Sequence, residues 1–347
     1  MEYRALGRTG VRVSAFSLGA LMFGPWGNKD ENECVRMIHE ALDAGINLID
    51  TADLYGEGES EEIVGRALKG RRDEVVLATK FHNPMGPGQN ERGNSRLWIM
   101  RAVEASLRRL ETDHIDLYQA HRWDPATDVD ETLSALTDLV RQGKVRYIGS
   151  STFPAFLIVE SLWVSERRRL ERFVCEQPPY SIFVRRAETD VFPVCQRYGM
   201  GALVWSPLAA GWLTGKYRRG QETPADSRAV TYPGPYMAAR FDLAREGNQR
   251  KLDLVGRLEG AATEAGLSLT HMAMAFSLAH PAVTSTIIGP RTPEQLRDLM
   301  AAADVRLDKG TLDAIDALVP PGTVLNEPDA GWDPPWMAPA ARRFHTR

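Results

Sequence analysis

Eight short, mostly β-branched runs recur along the chain, each followed by a stretch long enough for a helix: AFSLGAL, INLID, EVVLATK, IDLYQAH, VRYIGSS, FVCEQPPYS, MGALVWS and VTSTIIG. The stretches near 31–45, 58–69, 95–110, 130–142, 154–165, 187–199, 250–266 and 293–302 carry apolar residues at helical spacing and often exit through glycine or asparagine. Eight strand–helix alternations predict an α/β fold of the (β/α)8 TIM type, a closed parallel barrel. The competing architecture, a doubly wound open sheet, usually announces a nucleotide with GxGxxG after its first strand, and neither that motif nor a Walker A pattern occurs. With 347 residues, 43% of them hydrophobic, the chain can bury one large core, so a single domain over 1–347 is expected.

Two segments stand outside the alternation, and a tail follows it. Residues 2–14, with the turn signal GRTG between YRAL and VRVSA, predict an N-terminal β-hairpin able to plug the barrel floor. Residues 206–247, after the seventh strand, form a glycine-, proline- and arginine-rich loop, and connections of that length inside a compact domain are usually functional. A lid or cofactor clasp is expected there. The helical pattern LDKGTLDAIDAL leads into a proline-rich tail, residues 320–347, which carries Trp332 and Trp336 before a basic end. That tail either covers a pocket or simply packs and frays.

Charge and cysteine content exclude several function classes. A formal net charge of -4 without a long single-sign run offers no field for a nucleic-acid backbone. Cys34, Cys175 and Cys195 are an odd set without CxxC spacing, which argues against a disulfide framework or a zinc knuckle and suits a reducing cytoplasm. The N-terminus lacks the apolar core of a signal peptide, and no run reaches the roughly 18 apolar residues of a membrane span. A soluble, cytoplasmic protein acting on a small molecule is expected, with its oligomeric state left open.

Barrels gather their chemistry at the carboxyl ends of the strands. Here that face collects Asp50, Lys80, His121, Ser151, Gln177, Trp205 and Gly289 from strands two to eight, with Tyr55 five residues beyond Asp50. Carbonyl reduction needs a hydride donor, a proton donor and stabilisation of charge building on oxygen. Tyrosine is a poor acid near neutrality, but an ammonium beside it favours the phenolate, and Lys80 is the candidate. Asp50 is placed to hold that ammonium charged, and His121 to donate to the substrate oxygen. Taken singly, each has a plainer reading: Asp50 and Lys80 as a buried structural pair, His121 as a satisfied core histidine, Trp205 as an apolar strand residue.

The segments DTADLYG, ATKF, QAH followed by RWD, GSST, EQPPYS, WSPLAAGWLTGKY and IIGPRTPEQL resemble, in order and spacing, those of the aldo-keto reductase superfamily, from about residue 3 to about residue 320. The resemblance implies NADPH/NADP+ lying extended across the barrel mouth, an aldehyde or ketone substrate, and a catalytic tetrad falling on Asp50, Tyr55, Lys80 and His121. It also implies that Ser151, Thr152 and Gln177 hold the carboxamide and that Trp205 stacks on the nicotinamide. Ser206, Pro207, Leu208, Gly211, Thr214 and Lys216 would wrap the pyrophosphate, with Arg228 as a clasp from the long loop. Gly289, Arg291, Thr292, Gln295 and Asp298 would take the adenosine end, Arg291 and Thr292 suiting a 2′-phosphate. Gly19, Ala20 and Leu21 would line the other flank, and Trp26 and Trp123 the substrate pocket with Tyr55 and His121. Thr152 stands where the family frequently has asparagine, and Ala20 where threonine is frequent. A branch resembling potassium-channel β subunits often lacks the histidine at the place of His121; a cofactor-sensing regulatory subunit with negligible turnover is therefore the alternative reading, and the histidine here favours an enzyme.

Overall fold

The computed structural model describes residues 1–225, 227–231, 234–331 and 335–343. An antiparallel hairpin of β1 (Tyr3–Ala5) and β2 (Arg12–Ser14) precedes eight parallel strands. These are β3 (Phe16–Gly19), β4 (Leu48–Asp50), β5 (Val76–Phe81), β6 (Ile115–Ala120), β7 (Val145–Ser151), β8 (Phe173–Gln177), β9 (Gly201–Val204) and β10 (Val283–Ile288). Each pairs with the next, and β10 pairs with β3, so the sheet closes on itself as the alternation predicts. An open doubly wound sheet is thereby ruled out.

The hairpin closes the amino-terminal end of the barrel. Leu6 and Val13 are fully buried and join Leu48, Ala78, Leu117, Cys175 and Leu203 in an apolar cluster inside the strands. Close approach there requires glycine at position 7: its φ is +60°, and a Cβ would lie 2.5 Å from the Val174 carbonyl oxygen.

Helices α1 (Glu31–Asp43), α2 (Glu59–Leu68), α3 (Arg96–Arg109), α4 (Val129–Arg141), α5 (Ala155–Arg168) and α6 (Val191–Tyr198) follow the first six barrel strands. Several start on residues chosen for the purpose. The Asp30 carboxylate accepts from the Glu33 N–H and the Ser95 hydroxyl from the Trp98 N–H, satisfying donors a helix end leaves open. In the long loop lie α7 (Arg228–Thr231) and α8 (Pro235–Phe241); then come α9 (Glu246–Glu264), α10 (Leu269–Ala279), α11 (Pro293–Ala301) and α12 (Lys309–Leu318). The helix expected near 250–266 is α9, but α10 has no counterpart in the sequence reading. Leu269 and every residue from Met272 to Leu278 on α10 are buried, so it shows no polar face and no amphipathic stripe to read. None of the described helices is long and apolar enough to cross a membrane.

The loop and the tail are held together by charge beneath the surface. Arg240 Nε of α8 meets Asp329 Oδ1 at 2.8 Å, Lys251 of α9 pairs with Asp329 Oδ2, and both cations and the carboxylate are almost wholly buried. Trp212 stacks on Phe241 with centroids 5.8 Å apart, and the Lys251 ammonium lies 5.1 Å from the Trp212 ring centroid. Farther along, Trp336 packs on Trp123 and on Phe156, at 5.7 and 5.4 Å between centroids. Trp332 and residues 344–347 of the basic end lie outside the described residues.

Removing the carboxylate between two buried cations takes a close acidic partner from both. Asp329→Ala is expected to destabilise the protein by about 3–5 kcal/mol, read as a lower urea midpoint. The surface pair Arg297–Glu40, with side chains 60% and 33% exposed, is screened by water, so Glu40→Ala is expected to leave that midpoint nearly unchanged. Equal losses for the two variants would deny the buried pair its role.

Candidate functional site

The carboxyl ends of the barrel strands open into a cavity of about 600 Å³. Asp50, Tyr55, His121, Ser151, Gln177, Trp205 and Gly289 all line it, so one wall receives residues from six strands or the turns that follow them. The backbone after β4 turns sharply to deliver Tyr55. Gly56, Glu57 and Gly58 all have positive φ, and a Cβ on Gly58 would sit 2.7 Å from Arg109 Cδ. This run of left-handed residues needs its glycines.

Beneath the wall, the Lys80 ammonium has no solvent exposure. It donates to Asp50 Oδ1 at 2.5 Å and to the Thr51 carbonyl at 2.7 Å, and reaches the Tyr55 hydroxyl at 3.4 Å. Asp50 Oδ2 accepts from Gln177 Nε2 at 2.8 Å and Gln119 Nε2 at 3.2 Å. Burial disfavours the Lys80 ammonium, but Asp50 and then Tyr55 outweigh it, and the pKa stands above its ordinary value. For Tyr55 the balance differs from the sequence expectation. Burial raises the phenol pKa more than Lys80 lowers it, so the hydroxyl holds its proton more firmly than a free tyrosine. Chain order could place an ammonium beside the phenol but could not weigh the loss of water around it.

The His121 ring packs edge-on to Tyr55, 5.7 Å between centroids. Asn83 Nδ2 lies 3.0 Å from His121 Nδ1. An amide nitrogen can only donate, so Nδ1 accepts and the ring proton sits on Nε2. Burial, then Arg122 and Lys80, keep the imidazole well below its ordinary pKa, and it is neutral near pH 7.

Most of the residues marked from the sequence share this cavity. Gly19, Leu21, Trp26, Ser206, Pro207, Leu208, Gly211, Thr214, Lys216, Arg228, Arg291, Gln295 and Asp298 line it. Five do not reach its surface. Lys80 lies behind Tyr55, Ala20 is fully buried, and the Thr292 hydroxyl caps α11 by accepting from the Gln295 N–H. Thr152, at a φ of 57°, has its hydroxyl 3.5 Å from that of Ser151 without lining the cavity, and Trp123 packs on Trp336. Residues that sequence reasoning passed over complete the wall, among them Asn83, Arg122, Tyr236, Met237 and Arg240, with Gln119 supporting Asp50 from inside the barrel. Gln119 had a signal, since it sits two residues before the end of IDLYQAH; Asn83 and Arg240 lie in loops whose paths only the fold reveals.

Residues 15–320 match the aldo/keto reductase family. Over 331 residues the chain is 42% identical to the Uncharacterized oxidoreductase YrpG of Bacillus subtilis, covering 92% of this chain and 96% of that one. It is 37% identical over 326 residues to a probable voltage-gated potassium channel subunit beta of Oryza sativa subsp. japonica, with 92% and 97% covered. A protein of the same description from Arabidopsis thaliana is 36% identical over 313 residues, with 88% and 92% covered. With the closed barrel and this extent of similarity, the chain belongs to the aldo/keto reductase family.

Proposed function

We propose that the protein is an oxidoreductase that uses NADPH to reduce an aldehyde or ketone to an alcohol, with Tyr55 as the proton donor. The observation that carries this reading is the contact of the Tyr55 hydroxyl with a fully buried, carboxylate-held ammonium, at 3.4 Å, on the wall of a cavity large enough for a cofactor and a small carbonyl.

The residues present fit the dinucleotide. Lys216, Arg228 and Arg291 line the same cavity, a donor set suited to a diphosphate and a further phosphate. Gly211 and Gly289 beside them carry no side chain to block close backbone approach. Ser151 and Gln177 present polar groups where a carboxamide needs partners. Trp205 is held in orientation by its indole N–H, which donates to the Gln177 carbonyl at 3.2 Å, and by Gly331, where a Cβ would come within 2.6 Å of the ring. When bound, NADPH supplies a hydride to the carbonyl carbon.

The protein's own part is to place and protonate the carbonyl oxygen. Tyr55 donates its proton to that oxygen as hydride arrives at carbon, so the two additions together make the alcohol. Lys80 stabilises the phenolate left behind, and Asp50 keeps Lys80 charged while it does so. His121, protonated on Nε2, donates a second hydrogen bond and orients the carbonyl. The phenol then recovers a proton from solvent.

Mixing protein, NADPH and a reactive aromatic aldehyde is expected to bleach absorbance at 340 nm, with Tyr55→Phe slower by about a hundredfold or more. Equal rates for the two proteins would remove Tyr55 from the mechanism. Saturable NADPH binding without turnover on a broad carbonyl panel would favour instead a cofactor-sensing subunit, a reading that draws on the similarity to the potassium-channel β subunits.

Arg291→Ala is expected to weaken NADPH binding by about tenfold or more and NADH binding far less, because only NADPH carries the extra phosphate. Titrations by protein-fluorescence quenching check this; matched losses for both cofactors would refute the assignment.

The shifts of Tyr55 and His121 also set a pH profile. A phenol whose pKa is raised stays protonated across the neutral range, and an imidazole whose pKa is depressed stays neutral over it. Reduction kcat/KM is thus expected to stay level between about pH 6.5 and pH 9 and to fall only on the alkaline side, as Tyr55 loses its proton. A limb centred near about pH 7 would show that His121 titrates there.

A further inference from the structure

One cation on the cavity wall, Arg122, has no acidic partner among the described residues. Arg122 follows His121 at the end of β6 and lines the cavity together with Tyr55, Asn83 and Trp205. Of its five N–H donors, Nη1 donates to the neighbouring His121 carbonyl at 2.5 Å, the one hydrogen bond it forms among the described residues, and its guanidinium carbon lies 6.0 Å from the Trp205 ring centroid. No carboxylate pairs with it among the described residues. Glu176 acts on it only at longer range, and that carboxylate is engaged elsewhere: it accepts from the Ser150 hydroxyl at 2.5 Å and the Phe153 N–H at 3.1 Å, while burial lifts its pKa to about 7. The contrast with Arg240, which shares the cavity wall but is matched to Asp329, is direct.

Arg122 is half-buried on the cavity wall, and that burial pulls its pKa below the usual arginine value. Its aromatic neighbour contributes cation–π attraction but accepts no hydrogen bond in the guanidinium plane. The planar fork therefore keeps donors to spare beside the residues proposed to hold the reacting carbonyl.

We propose that Arg122 is a specificity residue that pairs with an anionic group, a carboxylate or a phosphate, carried by the carbonyl substrate. The inference rests on the carbonyl-reductase reading above and narrows it to oxyanion-bearing aldehydes or ketones. Arg122 binds the charged end of such a substrate while Tyr55 and His121 address its carbonyl, so the substrate is held at two points. Trp26, Leu54 and Met237 on the same wall leave the part between them to apolar contact.

The test compares three aldehydes of one framework with NADPH: 4-carboxybenzaldehyde, its neutral methyl ester and 4-formylphenyl phosphate. The intact protein is expected to favour at least one anion over the ester by about tenfold or more in kcat/KM, and the favoured member tells carboxylate from phosphate. In Arg122→Met, which keeps the apolar stem, that ratio is expected to fall to near one, and Arg122→Lys to recover part of it. A ratio unchanged in Arg122→Met, or a wild-type preference for the ester, would overturn the proposal. Direct binding keeps the question answerable without turnover. Benzoate and inorganic phosphate, titrated against NADP+-loaded protein by tryptophan fluorescence, should bind the intact protein and bind Arg122→Met at least tenfold more weakly; equal binding would also overturn it. Failure of all three aldehydes to consume NADPH, with anion binding retained, would count against the reductase reading and not against the anion subsite.

Discussion

An ammonium wholly shut off from solvent stays charged in this barrel because a carboxylate meets it at 2.5 Å and two glutamine amides bind that carboxylate's other oxygen. An isolated buried lysine would lose its proton, and an isolated buried aspartate would gain one. Asp50 keeps Lys80 charged, and the amides of Gln119 and Gln177 fix the carboxylate's orientation. The four residues come from β4, β5, β6 and β8, so the arrangement exists only once the sheet has closed. Everything proposed for Tyr55 depends on it, since the phenol's response to losing a proton is set by the charge 3.4 Å away.

Around that centre the protein uses rigid strands for placement and irregular backbone for shape. Thr152, Ser206, Ala209 and Ala210 all adopt positive φ, unfavourable for residues with a side chain, and all lie in the turns after β7 and β9. Such conformations cost about 1–3 kcal/mol each and persist where surrounding structure over-determines them. The Arg240–Asp329–Lys251 cluster supplies part of that determination, because Arg240 also donates to the Ser206 hydroxyl at 3.3 Å. The loop after β9 and the tail are thereby joined to the cavity wall by one buried set of charges.

Much of the fold was legible because its signals are local. Eight runs of strand length between helical stretches have few other closed solutions, and GRTG between two short apolar runs reads as a turn without further information. α10 escaped because a helix buried nearly all round has no periodic stripe, and Trp123, expected in the pocket, packs on Trp336 of the tail and does not line the cavity. Ala20 and Thr292 lie at the right places along the chain but turn inward or cap a helix, and spacing does not report where a side chain points.

The amino-acid sequence by itself determined the barrel, the order in which polar residues reach its carboxyl-terminal face, and the identity of Asp50, Tyr55, Lys80 and His121 as groups able to meet there. These follow from periodicity and from the fixed polarity of parallel strands. Only the tertiary structure decided the balance of water and charge around them: that burial outweighs Lys80 at Tyr55, that Asn83 sets the tautomer of His121, and that Arg122 lies near the Trp205 ring with no acid beside it among the described residues. Solvation and pairing depend on residues brought together from distant strands, and chain order carries no measure of either.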